Sequence, residues 1–139
     1  MGFYEENFKT PLIILGSKQP AKIYSHKASQ LDIAPFILKE LGLSADTHFI
    51  GKSLIDESPR LIPLVQPYSG GYVAIVKNNY KFVYHIKNQQ KYFYNLSKDP
   101  LEKHNIFSTT SAEQLAEFEK ALSAVSLNDY LLESNRIFP

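Results

Sequence analysis

The sequence predicts an α+β fold, in which a strand–helix piece is followed by a small antiparallel sheet covered by a C-terminal helix. An apolar helical pattern runs from Ile33 to Leu41 and stops at Gly42. Aromatic and β-branched segments alternate with short turns between Tyr72 and Leu96, and a capped amphipathic pattern begins at Ser111. With 139 residues, of which 44% are apolar, the chain has the size and composition of one globular domain.

Composition excludes several classes of function. The formal net charge of +1 gives the whole chain no general attraction for nucleic acids or membrane surfaces. Cysteine is absent, which excludes disulfides, thiolate nucleophiles and Cys-ligated metals. No apolar run approaches the roughly 18 residues of a membrane span, and residues 1–10 lack the apolar centre of a signal peptide.

Two short strands are predicted near the start of the chain. Pro11–Leu15 is a continuous apolar run closed by Gly16, as expected for a strand buried on both faces. A turn at Ser17–Pro20 then leads to a second strand at Ala21–Tyr24.

The helix is expected to begin after Asp32, whose carboxylate can accept hydrogen bonds from amides of the first turn. Pro35 falls within that turn, where its missing N–H costs nothing, and Gly42 supplies a left-handed C-cap. The apolar face predicted to be buried consists of Ile33, Ile37, Leu38 and Leu41.

After a predicted loop at Ala45–Pro67, which three prolines interrupt, the pattern becomes that of an antiparallel meander. A two-residue turn at Asn78 and Asn79 connects the first two strands. The predicted strands are Tyr72–Lys77, Tyr80–Ile86 and Lys91–Leu96.

The two faces of the meander are expected to differ. Tyr80, Phe82, Tyr84 and Ile86 alternate onto one face, which we expect to be packed, while Lys81 and His85 point to the other, which we expect to be wet.

The C-terminal helix is predicted to cover the packed face. It begins with a capping box at Ser111 and Gln114, and a further helical turn is expected at Asn128–Ser134. Its apolar positions at helical spacing are Leu115, Phe118, Leu122 and Val125.

No motif for chemistry is complete. Gly51–Ser53 is similar to the end of a phosphate-binding loop, but Asp46 stands where the first glycine of that loop is needed, so we interpret it as an ordinary loop. Asp46 and His48 form the nearest candidate metal pair, which is fewer than the usual three or four ligands. Ser25 and His26 are adjacent, which on a strand sends them to opposite faces. His85 and His104 have no partner at ligand spacing. The sequence therefore predicts no catalytic, cofactor-binding or metal residue in this chain.

A basic stretch supports an alternative function. Between Ser58 and Lys98 the sequence has no Asp or Glu, and aromatic residues are interleaved with six cations. A stand-alone module that binds polyanions or glycans on this sheet is the alternative hypothesis. The competing interpretation is that the aromatic residues pack and the lysines are solvated. The cations are Arg60, Lys77, Lys81, Lys87, Lys91 and Lys98.

Two stretches resemble the C-terminal part of sulfatase-like enzymes of the alkaline phosphatase superfamily. The first comprises Pro11–Ile14, the motif S-x-x-D-I-x-P-x-x-L-x-x-L-G at Ser29–Gly42, and G-x-S-L at Gly51–Leu54. The second is similar to the family pattern Y-D-L-x-x-D-P-x-E-x-x-N-L, with Asn95 in place of its first Asp and Ile106 in place of its last Leu, over Tyr94–Ile106. Gln30 with Ile33 and Ala34 is most similar to the branch of lipoteichoic-acid synthases and phosphoglycerol transferases.

This resemblance implies that residues 1–139 are one C-terminal piece of a larger metal-dependent ester hydrolase or phosphoryl/sulfuryl transferase. Residues 1–57 would form the edge of its alkaline-phosphatase-like α/β core, and residues 68–139 the meander and helix. The family's nucleophile and its Asp-His-Gly motif are not in this sequence, and the latter would lie just before Met1. Asp32, Pro35, Gly42 and the turn at Asp99–Pro100 would therefore be structural.

The resemblance also implies partners and a setting. The parent enzyme would hold a divalent Mn, Mg, Ca or Zn ion and work in the bacterial cell envelope. The expected partner is the N-terminal catalytic half, with self-association through an exposed strand edge near Leu12–Leu15 as a second possibility. No specific nucleic-acid partner is expected.

Overall fold

The chain is described by a computed structural model that covers residues 3–16, 20–43 and 49–133, with the helix backbone alone for residues 125–133. Within these residues the fold is α+β, as predicted. The helices are α1 (Ile33–Glu40) and α2 (Ala112–Glu133), and the strands are β1 (Leu61–Gln66), β2 (Tyr72–Lys77), β3 (Tyr80–His85) and β4 (Lys91–Asn95). Short 3-10 helices occupy Glu5–Phe8, Gln30–Asp32 and Phe107–Thr109.

The chain divides into two compact units. The sheet unit consists of Met1–Lys9 and Leu61–Ser126, and the α1 unit consists of Thr10–Arg60 and Leu127–Pro139. Among the helices of the described residues, none combines the length and the hydropathy needed to cross a bilayer.

The described part of the sheet unit contains a four-stranded antiparallel sheet in the order β1-β2-β3-β4. The three predicted strands are confirmed, and Asn78 takes the positive φ of 53° that the turn between β2 and β3 needs. The predicted loop at Ala45–Pro67 is wrong in its last part, because Leu61–Gln66 forms β1. Pro63 is tolerated there because β1 is an edge strand with a free side.

One face of the sheet is covered by α2, as predicted. Phe118 is only 3% exposed and makes an edge-on contact with Phe93 at a ring-centroid distance of 5.0 Å. Ile75, Phe82 and Ala121 complete the buried cluster, with Leu115 and Leu122 packed at its margin. At the start of α2, Ser111 Oγ accepts a hydrogen bond from the Gln114 amide at 3.3 Å. The side chain of Val125 lies outside the described residues.

The prediction that the opposite face is wet is wrong. Phe3 packs there against Ala74 and Val83, because the first residues of the chain cross that face. Lys81 is 0% exposed and His85 is 8% exposed, so neither points into solvent. The sheet is therefore packed on both faces.

Helix α1 is confirmed with corrected details. Gly42, at a φ of 70°, ends it in a Schellman motif, in which Leu43 N–H donates to Leu38 C=O at 2.9 Å. The prediction of which face of α1 is buried is wrong. Phe36 is the buried residue of α1, while Ile37 is 48% and Leu41 is 66% exposed. Asp32 does not cap α1, because its carboxylate is turned to other partners described below.

The two predicted N-terminal strands are wrong as secondary structure. Residues 11–15 and 21–24 are not in a strand, and their apolar side chains stand in solvent, with Leu15 88% and Ile23 90% exposed. A strand needs a neighbour to bond its backbone, and no described residue of the α1 unit supplies one. Residues 17–19 of the predicted turn lie outside the described residues.

Candidate functional site

The sheet unit has a fully buried ion pair. Lys81 Nζ lies 2.7 Å from Glu102 Oε2, and the side chains of the two residues are 0% and 2% exposed. Alternation along β3 directs Lys81 to the face opposite α2, and Glu102 follows β4 at a turn residue with a φ of 52°. Such a pair is tolerated in the interior only when its remaining donors and acceptors are also satisfied.

The start of the chain satisfies those groups. Lys81 Nζ donates to the carbonyl oxygen of Phe3 at 2.5 Å, and the amide of Glu5 donates to Glu102 Oε1 at 2.5 Å. The ammonium group also lies 5.1 Å from the centroid of the Phe3 ring, within the range of a cation–π contact. The ion pair therefore fixes the N-terminal segment to the sheet.

Beside the ion pair lies an aromatic cavity of about 260 Å³. Val83 and Glu102 form part of its lining. Burial, and next the negative charge of Glu102, raise the pKa of Tyr94 to about 12. The aromatic side chains of the lining are Phe3, Tyr4, Tyr72, Tyr92 and Tyr94.

A second buried ion pair organises the α1 unit. Arg60 Nη1 lies 2.8 Å from Asp32 Oδ2, with side chains 5% and 3% exposed. Asp32 also accepts from the amides of Ser29 and Lys52, each at 2.8 Å. It thus completes a capping box with Ser29 and ties the loop that contains Lys52 to the start of α1.

The Gly51–Ser53 segment is part of this packing and not of a phosphate cradle. A Cβ atom at Gly51 would lie 2.1 Å from the carbonyl oxygen of Leu31, so only glycine fits the close approach of the two backbones. The Lys52 ammonium donates to the Pro59 carbonyl at 2.9 Å. Both observations agree with the interpretation of the segment as an ordinary loop.

The described histidines are engaged separately. His26 Nε2 is 2.9 Å from the carbonyl oxygen of Leu54. His85 Nε2 is 3.0 Å from the Ser69 carbonyl oxygen, and its ring stacks on Tyr72 at 4.2 Å. His104 Nδ1 lies 3.7 Å from Asp99, and Asp46 and His48 lie outside the described residues.

The described residues do not fit a divalent metal. No three or more of their His, Asp or Glu side chains gather where they could hold an ion. No step of any reaction can be derived through a metal held by these residues.

Most cations of the basic stretch form ion pairs with acidic side chains. Lys77 pairs with Glu117 and Lys91 pairs with Glu119 of α2, the latter at 2.8 Å. Arg60 and Lys81 are buried in their ion pairs. Within the described residues, Lys87 and Lys98 have no acidic partner in a salt bridge, which leaves little free positive charge for a polyanion. The binding-module alternative has no support in the described residues.

Comparisons with known proteins show that the fold of this chain is similar to that of solved structures. No protein-family model matches the chain, and no curated protein matches it. A solved structure described as a complex with its substrate D-glucosamine-2-N,6-O-disulfate is similar at 17% identity and a TM-score of 0.51, over 68% of this chain and 23% of that one.

The chain has a sulfatase-like fold. Its α+β arrangement matches that of sulfatase C-terminal domains, so the resemblance seen in the sequence holds at the level of the fold. A putative sulfatase from Bacteroides thetaiotaomicron (18% identity, TM-score 0.48, 76% of this chain and 25% of that one) is also similar. So is a structure described as a 2-O GAG sulfatase, with 17% identity, a TM-score of 0.45, and coverage of 75% and 24%. The chain spans about a quarter of the length of these structures.

Proposed function

We propose that this chain is the C-terminal subdomain of a sulfatase-like, metal-dependent ester hydrolase or phosphoryl/sulfuryl transferase, and that it supplies no catalytic residue. The observation that carries the proposal is the fold likeness at a TM-score of 0.51, in which the chain corresponds to 23% of a much larger structure. A piece of that size is a subdomain of an enzyme whose remaining part performs the chemistry.

The nucleophile and the ligands of a divalent ion would belong to an N-terminal catalytic half. Such an ion polarises the ester and lowers the pKa of the attacking group. The apolar side chains of Leu12, Ile13 and Leu15, which are 54%, 78% and 88% exposed, support a partner of this kind. An uncovered apolar stretch of this size on a folded chain is typical of a surface that another polypeptide covers.

The substrate class proposed is a sulfate ester of a sugar, since the similar structure with the highest TM-score given above was solved with a disulfated glucosamine. Glycerol-phosphate esters are the second class, because Gln30, Ile33 and Ala34 resemble the branch of phosphoglycerol transferases.

The first experiment assays the isolated chain. The chain is incubated with aryl sulfates and phosphodiesters in the presence of Mn²⁺, Mg²⁺ or Ca²⁺, and no turnover is expected. Turnover that disappears when a residue of this chain is changed would contradict the proposal, whereas turnover unaffected by every such change identifies a contaminant.

The second experiment uses the gene. The polypeptide encoded upstream of this segment is expected to contain an Asp-His-Gly motif and a nucleophile, and to hydrolyse sulfate or phosphate esters only when joined to this chain. An upstream polypeptide without these motifs, or one fully active alone, would overturn the proposal.

A further inference from the structure

A single imidazole ring joins two turns at one end of the sheet. His85 is the last residue of β3 and is 8% exposed. Its Nε2 atom lies 3.0 Å from the carbonyl oxygen of Ser69, in the turn between β1 and β2. Its Nδ1 atom contacts the side-chain oxygen of Asn88, in the turn between β3 and β4. The ring therefore stands between two turns that are far apart in the sequence.

Both groups that face the ring can only accept a hydrogen bond. The Ser69 carbonyl has no proton to donate. The orientation of the Asn88 amide is set by Gln90, whose N–H donates to Asn88 Oδ1 at 3.1 Å and whose Oε1 accepts from Asn88 Nδ2 at 2.9 Å. A neutral imidazole has one N–H and satisfies one of the two acceptors, whereas the imidazolium ion has two and satisfies both.

The turn between β1 and β2 is shaped to admit the ring. Ser69, Gly70 and Gly71 have φ values of 58°, 93° and 76°, so three consecutive residues lie in the left-handed region, which is costly for Ser69. A Cβ atom at Gly70 would lie 2.7 Å from His85 Nε2, so a larger residue would push the ring away from the Ser69 carbonyl. The hydrogen bond from His85 thus fastens a strained stretch of backbone.

Two titratable side chains beside the ring act on its charge in opposite directions. Tyr72 of β2 stacks on it at a centroid distance of 4.2 Å and an interplanar angle of 14°, and a π face attracts a cation. Lys87 packs its aliphatic part against Gly70 on the same side as His85 Nε2, and its ammonium group is a like charge. The Lys87 side chain is exposed, so solvent screens that repulsion.

We propose that His85 is a proton-sensitive clamp, which holds both turns when its ring is charged and only one of them at a time when its ring is neutral. Imidazole is the side chain that ordinarily changes its charge between about pH 5 and 8, so the clamp responds in that range. In the neutral ring one proton serves both Ser69 and Asn88, and the turn that presents the exposed Tyr68 is held for part of the time. The inference concerns the sheet unit alone and does not depend on the proposed function.

The test follows the whole chain by NMR, with the histidine rings and the backbone amides labelled with ¹⁵N, from about pH 5 to 8. Both ring nitrogens of His85 are expected to carry a proton at the acid end and one of them at the basic end. The amide signals of Ser69, Gly70 and Gly71 should shift with the same midpoint. A ring that keeps one charge state throughout, or amides that do not follow it, would overturn the inference.

Hydrogen exchange measures the release of the turn. The Gly71 N–H donates to the Tyr68 carbonyl at 3.1 Å within this turn. Its protection factor, which is corrected for the intrinsic effect of pH on exchange, should fall about fivefold as His85 becomes neutral, the effect of one hydrogen bond. A protection factor that stays constant across the His85 titration would contradict the proposal.

Variants at Asn88, an exposed position, test the clamp without disturbing the core. Asn88→Ala removes one acceptor, so the neutral ring can keep its proton on Ser69 and the fall in Gly71 protection should disappear. Asn88→Asp places a carboxylate beside Nδ1 and should move the shared midpoint to higher pH. His104→Gln, at a side chain 80% exposed, is the control and should leave the Gly71 response unchanged. A full response in Asn88→Ala, or its loss in His104→Gln, would overturn the inference.

Discussion

The ammonium group of Lys81 is fully buried, and Glu102 and Phe3 are among the residues that hold it. Glu102 supplies the opposite charge, the Phe3 carbonyl accepts a second hydrogen bond, and the Phe3 ring contributes a π face. A buried pair of this kind contributes little compared with an apolar pair of the same volume, but removal of one partner leaves an uncompensated charge. The pair therefore acts mainly as a constraint on where residues 3–5 lie.

Replacing Lys81 by Met should reveal that constraint. The substitution leaves the Glu102 carboxylate buried with the Glu5 amide as its remaining partner, so we expect a loss of about 3–5 kcal/mol in the free energy of unfolding, measured by urea denaturation. Lys87→Met, at an exposed position in the turn after β3, is the matched control and should change stability by less than about 0.5 kcal/mol. A Lys81→Met variant as stable as that control would show that the pair is not buried in solution.

The raised pKa of Tyr94 should make the stability of the folded chain depend on pH. The folded-state pKa of Tyr94, about 12, exceeds the ordinary value of 10.0, chiefly because of burial and then because of Glu102. The contribution to stability is complete below pH 10.0 and is lost as the pH rises through about 12, because the unfolded chain ionises first.

The measurement is a spectrophotometric titration of tyrosinate in the folded chain. Tyr94→Phe should remove the ionisation step near pH 12 and reduce the loss of stability between pH 10.0 and about 12. Tyr68→Phe should leave that step in place. If the step near 12 persists without the Tyr94 hydroxyl, it belongs to another group.

Among the elements, α2 and the sheet depend on each other. The helix begins at the Ser111 cap and directs Phe118 onto the rings of Phe82 and Phe93, at centroid distances of 6.5 Å and 5.0 Å. Edge-on and tilted aromatic contacts of this kind add to the stabilisation that burial alone provides.

Phe118→Ala should cost about 3–5 kcal/mol in the free energy of unfolding, because it leaves a cavity beneath α2 that rigid strands cannot collapse to fill. Lys120→Ala, on the exposed side of the same helix, is the control for helix propensity. A loss within about 0.5 kcal/mol for Phe118→Ala is the size of a surface effect and would show that α2 does not cover the sheet in solution.

Local patterns were sufficient for α1, β2, β3, β4 and α2, because each is encoded by its own periodicity, turns and caps. β1 was missed because Pro63 breaks the pattern, although an edge strand accepts it. The burial of Lys81 could not be predicted from local patterns, since its partners lie 21 and 78 residues away in the sequence. The aromatic cavity could not be predicted for the same reason, since Phe3 and Glu102, which line it, are far apart in the sequence.

At the scale of the whole molecule, the two units differ in how their apolar residues are covered. The sheet unit buries aromatic clusters on both faces of its sheet. The α1 unit has a buried ion pair but leaves Leu12–Leu15, Ile23 and Leu41 exposed. This contrast is expected if the α1 unit belongs to a larger core, as the proposed function requires.

Because the stretch Leu12–Leu15 is uncovered, we expect the isolated chain to self-associate. Leu12–Leu15 combines four apolar side chains, each at least 43% exposed, with backbone groups outside any strand, and such a segment can pair with a second copy. The average mass measured by sedimentation should therefore rise with protein concentration. Ile13→Lys with Leu15→Lys should suppress the rise, and Leu101→Lys, at an isolated position 56% exposed, should not. Strong hydrogen-exchange protection of the Ile13 and Ile14 amides in a concentration-independent monomer would mean that the chain closes its own sheet, and that no catalytic half is needed to cover this stretch.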